Sequence, residues 1–142
     1  MRRYSFQDTV MILNGVEIVG WADGDDVLEI KRREDSLSDV IGAAGDMMVS
    51  IGADRSGSIT FKLQQTSPSN QYLNALMELQ EAAGSIFVPV FARFQDTYRQ
   101  DYASGTSGHI TKPADMTRGT KGQTQEWVIV VESLQLAFGN VD

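Results

Sequence analysis

His109 is the only histidine of the chain, and the sequence holds no cysteine. Residue count alone therefore rules out a multi-histidine or thiolate metal site, and with it any disulfide scaffold. His109 could still act as general base for a serine, so the run Gly105-Thr106-Ser107-Gly108-His109 has to be weighed. A nucleophile elbow requires glycine at its fifth position, where the backbone turns sharply, and His109 stands there instead. His109 is thus expected to be a loop or strand residue with no catalytic role. The acidic turn Asp23-Gly24-Asp25-Asp26 offers carboxylates to calcium. In alternate positions from Asp23, however, the third is Val27, which has no side-chain oxygen. Gly119-Thr120-Lys121-Gly122 sets a lysine among glycines without the Gly-Lys-Ser/Thr ending of a phosphate loop. The carboxylate pairs Glu29/Asp35 and Asp96/Asp101 are close in sequence, but nothing in the pattern builds a cleft around them. The expectation is a protein that is not an enzyme and uses no cofactor or metal.

Nucleic acid is a poor partner on charge grounds. The 12 Lys and Arg face 19 Asp and Glu, for a net charge of −7. A surface of that sign repels phosphate unless its cations cluster strongly. Only Lys31-Arg32-Arg33 is a cluster; Arg93 and Arg99, near Phe91, Phe94 and Tyr98, are the remaining basic-aromatic combination. No stretch approaches the roughly 18 apolar residues of a membrane span, and the N-terminus lacks a signal-peptide pattern. Folding in the cytoplasm, with no membrane anchor, is expected.

The elements that would position these residues are mostly strands. At 142 residues the chain suits one domain with one core. Thr9–Leu13 and Val16–Trp21 are apolar runs joined by Asn14-Gly15, a pair that tolerates the positive φ of a tight hairpin. Val27–Arg32 reads as a further strand. In Ser58–Gln64, Ile59, Phe61 and Leu63 alternate with polar residues, as in a half-buried antiparallel strand. Ser67 and Pro68 open a helix that Gly84 can close. Its inward face is Leu73, Leu76, Met77, Gln80 and Ala83, flanked by Tyr72 and Leu79. Ser85–Phe94 returns to strand, and Pro89 argues for an edge or a bulge there. Tyr98–Tyr102 continues it. The glycines of residues 104–123 mark a flexible loop, with a short strand around His109–Lys112.

Two segments point beyond the subunit. Residues 33–51 show little periodicity, yet carry Leu37, Val40, Ile41, Met47, Met48 and Val49. They form either an irregular loop folded on its own core or an arm buried on a neighbour. The terminal strand Glu126–Phe138 places Val128, Val130, Leu134, Leu136 and Phe138 on one parity and Trp127, Ile129 and Val131 on the other. A strand apolar on both faces is covered on both, by the helix or by another subunit. The expected interface residues are Leu37, Val40, Ile41, Met47, Met48, Trp127, Ile129 and Val131. The fold class is mainly β: an antiparallel sandwich or small barrel with one packed helix.

Several of these stretches resemble a family of tailed-phage virion proteins that includes tail tube proteins. The resemblance is carried by Gly20-Trp21-Ala22-Asp23-Gly24-Asp25, by Arg55-Ser56-Gly57 before the alternating strand, by Gln65-Thr66-Ser67-Pro68-Ser69-Asn70 at the helix, and by Gln125-Glu126-Trp127. It spans nearly the whole chain and is weakest over 104–123. It implies a tube built of stacked six-fold rings, with sheath, baseplate and tape-measure proteins as partners and DNA as passing cargo. Assembly would take place in the bacterial cytoplasm and the product would be the virion tail. Asp23, Asp25 and Asp26 are candidates for lining the bore. Tubes of type VI secretion share the implied fold and remain an alternative. From another class, a monomeric β-sandwich could bind carbohydrate through Trp21, Trp127 or Tyr98.

Overall fold

The computed structural model describes residues 4–82 and 87–139. After a short 3-10 turn at Phe6–Asp8, strands β1 (Thr9–Leu13) and β2 (Val16–Glu17) form the expected hairpin. Asn14 and Gly15 both take positive φ, at 50° and 85°. Then follow β3 (Leu28–Arg32), β4 (Leu37–Ile41), β5 (Met47–Ile51), β6 (Gly57–Gln64), α1 (Ser69–Glu81), β7 (Val90–Asp96), β8 (Tyr102–Ile110) and β9 (Thr124–Ala137). Seven strands make one antiparallel sheet in the order β2-β1-β7-β8-β9-β6-β3, and β4 and β5 pair only with each other. The molecule is mainly β with one helix, as its alternation and turn signals require. The large sheet rolls until Ile30 of β3 lies beside Ala92 and Phe94 of β7 and Ala103 of β8. Its two edges do not hydrogen-bond, so the roll is not a closed barrel.

The core fills this roll. Phe61 and Leu63 of β6, Trp127, Ile129 and Val131 of β9, Met11 and Leu13 of β1, and Leu73, Leu76 and Met77 of α1 form one buried cluster. Helix α1 buries Ser69, Leu73, Leu76, Met77 and Gln80, close to the face its spacing predicts. Ala83 and Gly84 lie outside the described residues, as do Ser85 and Ile86. Polar side chains tie the helix to the sheet. The Trp127 Nε1–H donates to Asn70 Oδ1 at 2.9 Å, and the Tyr72 hydroxyl donates to the Leu13 carbonyl at 3.0 Å. Gln80 donates to the carbonyls of Val88 and Gly108 and accepts from the Ile110 N–H, so a buried amide is fully used.

Four local expectations change. The strand after the first turn stops at Glu17, and Trp21 makes only an isolated bridge with Leu63. Pro89 precedes a central strand rather than marking an edge, and the irregularity it signalled is the register shift between Val90 and Ala92. Residues 97–100 turn the chain instead of extending it. Residues 104–110 are strand, not loop. Their glycines answer to packing: a Cβ on Gly105 would lie 2.7 Å from Val131 Cγ1, and one on Gly108 2.9 Å from the same atom.

Candidate assembly surface

The segment 33–51 is neither irregular nor folded back. It is a hairpin, β4 against β5, and all ten strand residues are exposed. The register pairs Leu37 with Ile51, Asp39 with Val49 and Ile41 with Met47. Because side chains alternate, those six residues share one face, while Val40 and Met48 lie on the other, flanked by Ser38 and Ser50. The exposed fractions are 61% for Leu37, 62% for Ile41, 60% for Met47, 54% for Val49 and 75% for Ile51. A contiguous apolar patch of this kind on a projecting element is characteristic of a surface that binds another protein. Five carboxylates (Glu34, Asp35, Asp39, Asp46 and Asp54) and no Lys or Arg fall between residues 34 and 54. Much of the net negative charge therefore lies on the arm and its base.

The base of the arm is fixed to the sheet. Arg32 donates to the Leu134 carbonyl at 2.9 Å and to Ser36 Oγ at 3.3 Å, and the Gly52 N–H donates to the Ser36 carbonyl. The Ser56 side chain, and with it the Ser56 N–H that donates to Asp54 at 2.8 Å, holds the Asp54 carboxyl below the usual range. Behind these residues lies an open groove of about 700 Å³ lined by Arg33, Arg55, Ser107, His109 and Glu132 among others. His109 is exposed on β8, paired with Val130 in the ladder. Among the described residues no three His, Cys, Asp or Glu side chains gather to hold a metal ion.

Two further surfaces are open. Among the described residues β3 pairs with β6 on one side only and has no strand on its other edge, and the two-residue β2 is the opposite edge of the sheet. Asp23, Asp25 and Asp26 project on an exposed loop beside β3, and Asp26 is 3.5 Å from Lys62 Nζ.

Of the expected interface residues, Leu37, Val40, Ile41, Met47 and Met48 are together on the arm. Trp127, Ile129 and Val131 are not at the surface: they are 3%, 0% and 0% exposed and lie in the subunit's own core with α1. The sequence parity of β9 also breaks. Its ladder with β8 pairs Gly108 with Val131 and Thr106 with Ser133, and between them Ser107 takes φ 55°. Past this irregularity Leu134, 1% exposed, joins Trp127, Ile129 and Val131 inside. Leu136 and Phe138 are exposed. Val49 and Ile51 complete the apolar face of the arm; their alternation with Met47 was the signal for them.

The model of the bacteriophage PhiTE tail tube protein family matches residues 1–139. The chain belongs to that family. It is a structural protein of a phage tail, not an enzyme. Solved structures similar to this chain include the following three. The anti-feeding prophage cap, a tube-terminating cap, matches with TM-score 0.63 and 11% identity over 98% of this chain and 93% of that one. The sheath/tube terminator of an extracellular contractile injection system, in its extended state, matches at 0.64 and 10% identity, covering 96% and 98%. The sheath-tube complex of such a system matches at 0.59 and 9% identity, covering 96% and 92%. At these identities the likeness is one of fold. A search of curated protein sequences gives no match.

Proposed function

We propose that the whole chain, as one domain, is the repeating subunit of the tail tube, forming rings of six that stack around a bore through which DNA passes. The exposed apolar hairpin carries this reading. A monomer that kept ten arm residues in water would gain nothing from them, whereas a neighbour that covers them recovers the hydrophobic free energy. Rings use head-to-tail contacts between identical subunits, and the open edges of β2 and β3 are suited to pair with one another around such a ring. Asp23, Asp25 and Asp26 are the proposed bore residues, where like charge keeps DNA from adhering. Sheath, baseplate and tape-measure proteins are the proposed partners, met in the host cytoplasm. That sheath and tube occur together in a similar structure supports the first of them.

Negative-stain microscopy of concentrated protein tests the proposal. Open-ended tubes with a central hole are expected, and removal of residues 34–52 is expected to leave folded subunits that do not stack. Monomers at every concentration would overturn it. A second reading, a tube end-piece, draws on the likeness to two terminators, and it calls for single rings that never polymerise.

A further inference from the structure

The apolar face of the arm contains one charge. Asp39 lies between Leu37 and Ile41 along β4 and opposite Val49 on β5. Docking this face would take a carboxylate out of water among aliphatic side chains, which costs several kcal/mol unless a cation meets it. The receiving surface must therefore be apolar with one fixed cation in it.

Of the ten Lys and Arg among the described residues, five are engaged beside β3 and β6, and Lys112, Arg118 and Lys121 lie in the exposed coil between β8 and β9 rather than on a strand face. Lys31 lies 3.3 Å from Glu29 and Lys62 lies 3.5 Å from Asp26. Arg32 is committed to Leu134 and Ser36, and Arg33 and Arg55 share a groove with Asp54 and Glu132. Arg93 differs. It is exposed at the centre of the outer face of β1, β7 and β8, beside Ile12 on β1 and Ser104 on β8 in the ladder. Its guanidinium sits 5.7 Å from the centre of the Tyr102 ring, and Phe91, 52% exposed, is two residues away on the same face. These residues line an open hollow of about 430 Å³. A three-stranded face, roughly 10 Å between its outer strands, is wide enough to seat the two-stranded arm, roughly 5 Å between its strands, packed sheet on sheet.

We propose that the arm of one subunit docks on the β1-β7-β8 outer face of a second copy, with Asp39 paired to Arg93 and the arm's aliphatic residues on Ile12, Phe91 and Tyr102. This deepens the tube reading and rests on it: the arm is the key and this face its lock. Arginine suits the role because its weakly hydrated planar guanidinium can stay stacked on Tyr102 while bonding a carboxylate through its edge.

The test is a charge exchange in the full chain. Asp39→Arg and Arg93→Asp singly are expected to lose tubes in the microscope and the fast-sedimenting species in the ultracentrifuge, with thermal melting of the subunit unchanged. The double exchange is expected to restore both. Because the chain has no cysteine, Asp39→Cys with Arg93→Cys in one chain gives a second readout. A short bis-maleimide should then link subunits into a ladder. Wild-type tubes that persist in either single charge variant, a double exchange that stays monomeric, or an absence of cross-linking would overturn the contact while leaving the tube proposal standing. Wild-type protein that never assembles would overturn both.

Discussion

Asn70 occupies the junction of helix and sheet. Its Oδ1 accepts the Trp127 indole N–H at 2.9 Å, and its Nδ2 donates to the Gln64 carbonyl at 2.8 Å. Asn70→Ala orphans the N–H of a tryptophan that is 3% exposed, and a buried donor without a partner costs about 1–3 kcal/mol. A denaturation midpoint lowered to match, followed by Trp fluorescence, is the expected result. Tyr72 shows a pH signature. Partial burial raises its phenol pKa above the usual 10, so folding favours the neutral form that donates to Leu13. That contribution is complete below the unfolded pKa of about 10 and disappears as pH rises through the folded value. Tyr72→Phe should lose about 1 kcal/mol at neutral pH and show a shallower alkaline decline, measured by urea unfolding against pH.

At the scale of elements, the arm is the exception to the packing of the rest. Every other strand of more than two residues lies in the large sheet, whereas β4 and β5 bond only to each other. A lone two-stranded hairpin is marginally stable in water. Amide hydrogens of residues 37–51 should therefore exchange rapidly in the isolated subunit and become protected on assembly, as mass spectrometry of the two states would report. Equal exchange in both would mean that the arm is not covered. Substituting Ile51 by Lys removes a side chain whose full burial is worth about 1.5–3 kcal/mol per subunit. The threshold concentration for assembly should rise at least tenfold with the subunit's own stability unaltered, since 1.4 kcal/mol is a factor of ten.

For the whole molecule, charge and shape set opposing demands on assembly. Each subunit carries −7, so the proposed rings would gather like charge, and the carboxylates on and beside the arm would place part of that repulsion at the proposed contact. Salt screens exposed charges within roughly 10 Å at 0.1 M and affects a buried ion pair much less. Raising the ionic strength should thus promote assembly, measurable by light scattering across a salt series. A marked loss of tubes with salt would mean that exposed attractions hold the subunits together.

What the sequence determined was local. Asn14-Gly15 dictated a hairpin because both residues adopt positive φ, the alternation of Ile59, Phe61 and Leu63 dictated a one-sided strand, and the spacing of Leu73, Leu76, Met77 and Gln80 dictated the buried face of α1. The exclusion of multi-histidine and thiolate metal sites, from one histidine and no cysteine, was equally direct. Which face of β9 lies inside was decided only by the rolled sheet, which takes Trp127, Ile129 and Val131 and, after a change of parity, Leu134 into one core. Gly105 and Gly108 read as loop residues until Val131 was seen to pass over them. The arm was legible as surplus hydrophobicity, but its pairing, and so the face that isolates Asp39 among aliphatic neighbours, depends on cross-strand register. Register is a relation between segments, and no single segment's composition contains it.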